Sequence, residues 1–458
     1  MTNGLVWLRG ELRLHDNPLL QAATECDRLL LVYVIDAHWQ TQSDWGWPRL
    51  HAHRWRFLAE SLRDLQQHLA LQGQRLLVVQ GDAPPLIAKL VREHGIEQVF
   101  VADAPGSEED GQVSALQQLL GPDAGLSVTA DNRLFHEMPF ASDRWPMSFS
   151  AFRRKVEKRL QPLSPLTATQ ALPQPLLDTY PEWPEILRQA QSKPPRFVGG
   201  ENTGLQRLQH YLHDAQCILD YKQTRNSMLH TDDSSKLSPW LANGCLSVRH
   251  VWAEIERFEA EVAANESTYW LRFELLWREY FRWLLPATGS RLFHFSGLRD
   301  GAISKMQAFG RFTRQQQQQF VDWTRGDTGI PMIDANMREL YASGYMSNRG
   351  RQNVASFLVK DLQLDWRAGA AWFEHLLVDY DVASNWGNWA YQAGVGTDTR
   401  ERWFNVVEQS RRYDPRADYI SHWCPELSEL PLAQRFAPWT ANTPPQEYPA
   451  PLLVDSRW

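Results

Sequence analysis

The chain opens with short apolar runs separated by polar, turn-rich segments. Leu5-Val6-Trp7-Leu8, Leu29 through Ile35, Leu76-Leu77-Val78-Val79 and Gln98-Val99-Phe100-Val101 are continuous rather than alternating. That is how strands read when both faces of a parallel sheet are covered. Between the second and third runs, Trp55, Leu58, Leu62, Leu65 and Leu69 recur at helical spacing. Strands alternating with amphipathic helices predict a Rossmann-like α/β domain over residues 1–130, its parallel strands joined by right-handed crossovers. The first run is not followed by GxGxxG, so an ordinary dinucleotide site is not expected there.

Residues 131–200 change character. Pro139, Pro146, Pro162, Pro165, Pro173, Pro175, Pro181, Pro184, Pro194 and Pro195 interrupt any long helix and predict an extended interdomain linker. After Gly199-Gly200 the pattern is helical to residue 425, predicting an all-α domain over 201–425. Residues 426–458, with Pro438, Pro444, Pro445, Pro449 and Pro451, read as an irregular tail. The run Gln315–Gln319 reads as a solvated helix face.

Composition narrows the class. A 458-residue chain is too long for one core. Its 43% hydrophobic and 22% charged residues are ordinary for a globular protein. The N-terminus lacks the basic and apolar regions of a signal peptide, and no stretch nears the roughly 18 apolar residues that span a bilayer. Cys26, Cys217, Cys245 and Cys424 are scattered without metal-type or disulfide-type spacing. A soluble, cytoplasmic, monomeric protein with reduced thiols, no structural metal and no membrane association is expected. The formal net charge of −7 argues against a strong non-specific grip on duplex DNA but leaves room for a local basic groove. Fourteen of the 21 tryptophans lie after residue 200. Most of them suit core packing in a large helical half.

Four clusters in that half carry candidate chemistry. Ser234-Ser235-Lys236-Leu237-Ser238 runs into Pro239-Trp240-Leu241 and suits either a phosphate or ordinary helix capping. Glu274, Trp277, Arg278 and Phe281 share one helix face. That face reads either as the wall of a polar, flat ligand or as an exposed ion-pair face. Asn348, Arg351 and Gln352 share another face, with an amide able to donate and accept toward a heteroaromatic edge. Asp379, Asp381 and Asn385 suggest a cation site, but no calcium-type ligand set follows them.

These segments, in this order, resemble the photolyase/cryptochrome family. The third and fourth clusters are similar to its flavin-contacting segments, and the first to its FAD phosphate loop. The resemblance extends through Trp7-Leu8-Arg9-Gly10-Glu11-Leu12-Arg13-Leu14-His15-Asp16-Asn17-Pro18, Tyr221-Lys222-Gln223-Thr224-Arg225-Asn226 and Gly326-Asp327-Thr328-Gly329-Ile330-Pro331, covering residues 1–425. Gln352 and Tyr391, where ordinary dimer photolyases usually carry methionine and tryptophan, resemble the cryptochrome-DASH branch.

The resemblance implies blue-light-driven repair of cyclobutane pyrimidine dimers, preferentially in single-stranded DNA, by electron transfer from excited reduced FAD. It implies that Tyr221, Arg225, Ser234, Ser235, Lys236, Leu237, Ser238 and Arg278 hold the diphosphate region. Asn348, Arg351, Asp379, Asp381 and Asn385 would contact the flavin ring or ribityl chain. Glu274 would line the FAD site and bond the dimer carbonyls, and Trp277 and Tyr391 would stack on its bases, with Gln352 shaping the pocket. An electron relay would run through Trp389 and Trp366. Where the family's third relay indole stands, this sequence has Thr313, with Phe312 beside it. Photoreduction is therefore expected either to be slow or to end at another aromatic residue, such as Trp372 or Tyr341. Glu108 and Glu109 fall where relatives bind a 5,10-methenyltetrahydrofolate antenna, although the stretch also reads as an acidic surface turn. The alternative within the family is a blue-light receptor that signals and does little repair.

Overall fold

The computed structural model describes residues 2–458 except 123, 142–143, 170, 191–195, 300–305 and 398–401, so Pro194 and Pro195 of the linker lie outside the described residues. Two compact units interleave along the chain. The first comprises Met1–Leu219, Leu237–Gly289 and Asp379–Ala383; the second comprises Asp220–Lys236, Ser290–Val378 and Ser384–Trp458.

The first unit is built on a parallel sheet of β1 (Asn3–Leu8), β2 (Arg28–Asp36), β3 (Leu76–Gly81), β4 (Gln98–Ala102) and β5 (Gly125–Thr129) in the order β3-β2-β1-β4-β5. The apolar runs are buried: Leu5, Val6, Leu29 through Val32 and Val99 have no exposed surface. Helices α1 (Pro18–Ala23), α2 (Ala52–Leu71), α3 (Ala83–His94) and α4 (Ser107–Leu120) provide the crossovers. The strand order reverses between β1 and β4, the position at which open α/β sheets place their ligands. β5 is the strand that periodicity missed, because GLSVT is short and half-exposed at the sheet edge.

The linker is more ordered than its prolines suggest. It contains α5 (Phe149–Arg159), capped where the Ser148 side chain accepts from Ala151 N–H, and a two-residue strand, Gln174–Pro175, that pairs with β2. The same unit holds α6 (Glu201–Gln209), α7 (Ser238–Ala242), α8 (Val248–Glu261) and α9 (Glu266–Thr288). A buried ion network joins the turn after β1, the start of the linker and α8. Arg13 Nη2 donates to both Asp131 carboxylate oxygens at 2.7 and 2.9 Å, Arg249 Nη2 lies 2.8 Å from Asp16 Oδ1, and all four side chains are buried. Gly244 fits here because a Cβ would meet the carbonyl oxygen of Gly10.

The second unit is helical among its described residues, with α10 (Arg314–Arg325), α11 (Pro331–Ser343), α12 (Asn348–Ser356), α13 (Trp366–Leu376), α14 (Val382–Ala393, which begins in the first unit), α15 (Val406–Tyr413) and α16 (Asp418–Trp423). The glutamine run lies on α10, mostly facing solvent. Thr313 caps this helix: its side chain accepts from Gln316 N–H while Gln316 Oε1 accepts from Thr313 N–H. A capping box thus accounts for Thr313 at this position. The irregular tail is tied down, with Tyr448 hydroxyl donating to Asp334 at 2.6 Å and Leu452 N–H to Thr328 O at 2.9 Å. No helix of the described residues is long and apolar enough to cross a membrane.

Glu201, at the start of α6, gathers the turn after β1. Its carboxylate accepts from Leu14 N–H at 2.7 Å, His15 N–H at 3.0 Å and His15 Nδ1 at 2.5 Å. Burial raises its pKa, but these bonds outweigh that and hold it at about 2. A depressed carboxyl pKa stabilises the fold above the unfolded value and loses that contribution as pH falls through the folded one. In urea unfolding at neutral pH, Glu201→Gln is expected to lose about 1–3 kcal/mol. The gap between variant and wild type should close as pH drops from about 4.5 toward about 2; a gap unchanged over that range would refute the assignment.

Candidate functional site

The expected site residues fall in both units, and each set has its own surroundings. In the first unit, α9 places Glu274, Trp277 and Arg278 on one part-buried face, while Leu271, Leu275, Leu284 and Leu285 are buried. Phe281, read from the sequence as part of that polar face, is buried and touches Trp277 at 5.5 Å. Trp277 is backed by Phe149 of α5: the two rings are parallel within 11° with centroids 3.8 Å apart. One indole face is therefore fixed by the linker, a partner that helical spacing on α9 cannot reveal. Arg278 Nη1 donates to Asn132 O at 3.0 Å, whereas its buried Nη2 has no partner. Burial lowers the Arg278 pKa, opposed chiefly by the charge of Asp381. At the start of α7, Ser238 hydroxyl donates to Asp379 Oδ2 at 2.7 Å, bringing the first and fourth clusters together.

In the second unit the serine-rich loop ends at Lys236, which is 3% exposed and adopts a left-handed backbone at φ 54°. Its ammonium lies 5.3 Å from the centroid of Tyr345. A non-glycine residue held there marks a locally constrained loop. Tyr221 is buried and Arg225 half-buried. Asn348, the first residue of α12, is exposed, and Arg351 Nε donates to Met346 O at 2.9 Å. Gln352 is oriented by Arg349, whose Nη1 donates to Gln352 Oε1 at 2.8 Å. The same guanidinium reaches Asn226 Oδ1 at 2.9 Å and stacks over Tyr413 at 4.3 Å. Asn385 is turned to the protein, with Nδ2 donating to Ala370 O at 3.0 Å. Arg402 lies over the Tyr391 ring and donates to its hydroxyl.

The two indoles expected to form a relay have different ring neighbours. Trp389 meets Trp323 at 6.2 Å and Phe373 at 5.0 Å, and Trp366 meets Trp386 at 5.7 Å. Gly369 of α13 leaves space for Trp389, since a Cβ there would lie 2.3 Å from Trp389 Cη2. The signal for this pair was available in the sequence only as a glycine inside a helical pattern.

At the strand-order reversal, Arg9 donates to Ala102 O and, at 3.0 Å, to Glu109 O. Glu108 forms an ion pair with Arg49, which lowers its pKa; burial raises that of Glu109, against the neighbouring Arg9. Of the two antenna candidates, Glu109 is the desolvated one.

The residues present fit a flavin dinucleotide. Arg278 Nη2 and Asn132 Oδ1 are buried polar atoms without protein partners, as expected of groups that a bound polar ligand completes.

Comparison with known proteins agrees. A family model described as the FAD binding domain of DNA photolyase matches residues 270–457, and one described as DNA photolyase matches residues 4–175. The chain is 39% identical to a cryptochrome DASH of Natronomonas pharaonis, over 100% of this chain and 99% of the relative. It is 43% identical to one of Gloeobacter violaceus, over 95% and 88%. Among solved structures, a cryptochrome from Synechocystis sp. PCC6803 superimposes with a TM-score of 0.93 at 38% identity, covering 99% of this chain and 97% of that one. A bacterial class III photolyase from Agrobacterium tumefaciens superimposes with a TM-score of 0.85 at 28% identity, covering 100% and 95%.

Proposed function

The chain belongs to the photolyase/cryptochrome family, with curated relatives named cryptochrome DASH, and from that premise we propose that it repairs cyclobutane pyrimidine dimers in single-stranded DNA under blue light. The observation that carries the reading is on α9: Trp277 is held flat against Phe149 and stands on the same face as the carboxylate of Glu274. A pre-set aromatic plane beside an acceptor suits an unstacked pyrimidine pair.

Ser234, Ser235, Lys236, Leu237, Ser238, Tyr221, Arg225 and Arg278 are the residues that would hold the diphosphate region of FAD. Asn348, Arg351, Asp379, Asp381 and Asn385 would hold its ring and ribityl chain. Bound in reduced form, FAD supplies the light-driven electron that splits the cyclobutane ring and is afterwards returned. The protein's own residues orient and exclude. Trp277 and Tyr391 would each stack on a base, Tyr391 being steadied by Arg402. Glu274 bonds the dimer carbonyls, and Gln352, turned by Arg349, shapes the pocket wall. Extruding a dimer costs less from a single strand, where no pairing opposes it, which suits a chain of net charge −7 without a strong duplex grip. Trp389 and Trp366 are the indoles that would bring electrons inward from a thiol reductant in solution. Glu109, at the reversal point of the sheet, is the carboxylate that would hold a 5,10-methenyltetrahydrofolate antenna. The chain is proposed to act as a cytoplasmic monomer.

Purified protein, reductant, blue light and a dimer-containing single strand are expected to yield monomeric pyrimidines, with a slower yield from the matching duplex. Glu274→Ala should lower repair per absorbed photon about tenfold to a hundredfold, the loss of a charge-assisted hydrogen bond. No repair by the reduced, FAD-loaded wild type would remove the enzymatic reading and favour a light receptor. Transient absorption is expected to show light-driven reduction of the bound flavin abolished in Trp389→Phe; wild-type rates in that variant would eliminate the relay.

A further inference from the structure

The first four residues of the linker touch the candidate site in a way that nothing in the sequence or the relatives' names assigns. Asp131 is fixed from the sheet side, its carboxylate held by Arg13 and its N–H donating to Asp103 Oδ1 at 3.0 Å. On the other side, successive backbone groups are bonded to α9. Arg282 Nη2 donates to Asp131 O at 2.8 Å, Arg278 Nη1 to Asn132 O at 3.0 Å, and Leu134 N–H to Glu279 Oε1 at 3.1 Å. Arg133 lies over the Trp283 ring at 5.0 Å and pairs with Asp103 at 3.2 Å. Residues 131–134 are thus a strap whose backbone groups bond three side chains of α9, Arg278, Glu279 and Arg282.

Asn132 is the residue at which the strap turns. Its φ of 54° is left-handed, a conformation that asparagine tolerates and β-branched residues do not. Its Nδ2 donates to Leu241 O on α7 at 3.2 Å, so one residue links the end of the Ser238 helix to Arg278. Its Oδ1 is buried and unpartnered, as is Nη2 of the arginine it holds. In the same region Asp131 is paired by two arginines and Glu279 Oε1 also accepts from Trp283 Nε1 at 2.8 Å, while Glu279 Oε2 and Arg133 Nε are likewise buried without a partner. Two orphaned atoms of opposite character, one donor and one acceptor, on two residues bonded to each other point to a ligand that presents both.

We infer that Asn132 is a positioning residue for Arg278 and that the pair seats a polar group of the bound flavin dinucleotide. The inference rests on the reading of the α9 face as a flavin site. Asn132 holds the Arg278 guanidinium through its backbone carbonyl and holds its own left-handed turn through Leu241. Without the carboxamide the turn loosens, and the acceptor beside the guanidinium is lost. Because the effect runs through Arg278, it disappears when Arg278 is absent. A purely structural residue would lack that coupling.

The test is a double-mutant cycle on FAD affinity. Apoprotein is titrated with FAD by flavin fluorescence for wild type, Asn132→Gly, Arg278→Met and the double variant, with thermal unfolding of each apoprotein measured in parallel. Glycine keeps the left-handed backbone, so the fold is expected to stand. Asn132→Asp, which also tolerates that conformation, is the second variant through the same cycle. Asn132→Gly is expected to weaken FAD binding about tenfold in the wild-type background and less than about twofold in the Arg278→Met background. The apoprotein melting temperatures should coincide. Equal weakening in both backgrounds, or wild-type affinity in Asn132→Gly, overturns the inference while leaving the flavin site intact. Failure of the wild-type apoprotein to take up FAD removes the site reading itself, and this inference with it.

Discussion

A charge taken out of water must be answered by another group, and in the first unit this rule fixes where the chain runs. Arg13 and Arg249 are buried with Asp131 and Asp16, and the ion pairs Arg13–Asp131 and Arg249–Asp16 each span more than a hundred residues of sequence. Breaking such a set by removing one partner strands the others, at a cost of about 3–5 kcal/mol. The network therefore pins the linker where it leaves the sheet. From that pin the strap reaches α9, and from α9 project the carboxylate, the indole and the guanidinium to which function is attributed. Where Arg278 and Asn132 keep polar atoms buried and unanswered, the protein by itself is incomplete.

Leu271, Leu275, Leu284 and Leu285 hold α9 to the core, and the part-buried stripe beside them carries a carboxylate, an indole and a guanidinium that no core would tolerate without partners. Rigidity comes from outside the helix: Phe149 flattens Trp277, and the strap holds Arg278. A site set this way loses little freedom when substrate arrives, which is the general advantage of preorganisation. In the second unit the same role falls to arginines, Arg349 behind Gln352 and Arg402 over Tyr391.

The sheet was legible because its strands are buried on both faces and leave continuous apolar runs; only the short, half-exposed β5 escaped. Helical spacing placed Glu274, Trp277 and Arg278 together, as it did Asn348, Arg351 and Gln352. What the sequence could not carry were partners brought from afar. Phe149 and Asn132 lie in a segment read only as proline-broken linker, more than a hundred residues before the side chains they hold. Thr313 also caps α10 through Gln316, a signal present in the Thr-x-x-Gln spacing. Gly369, a glycine inside a helical pattern, signalled a close approach without naming the indole that lies against it. Periodicity reports which face of an element is wet, and says nothing of which distant residue meets that face.

The most direct measurement is the flavin content of the chain. The purified protein is denatured, and the released chromophore is identified by chromatography and quantified against the polypeptide. The account requires FAD, dinucleotide rather than mononucleotide, at one per chain in the fully loaded protein. A chain that releases none, and takes up none when refolded in its presence, would contradict it.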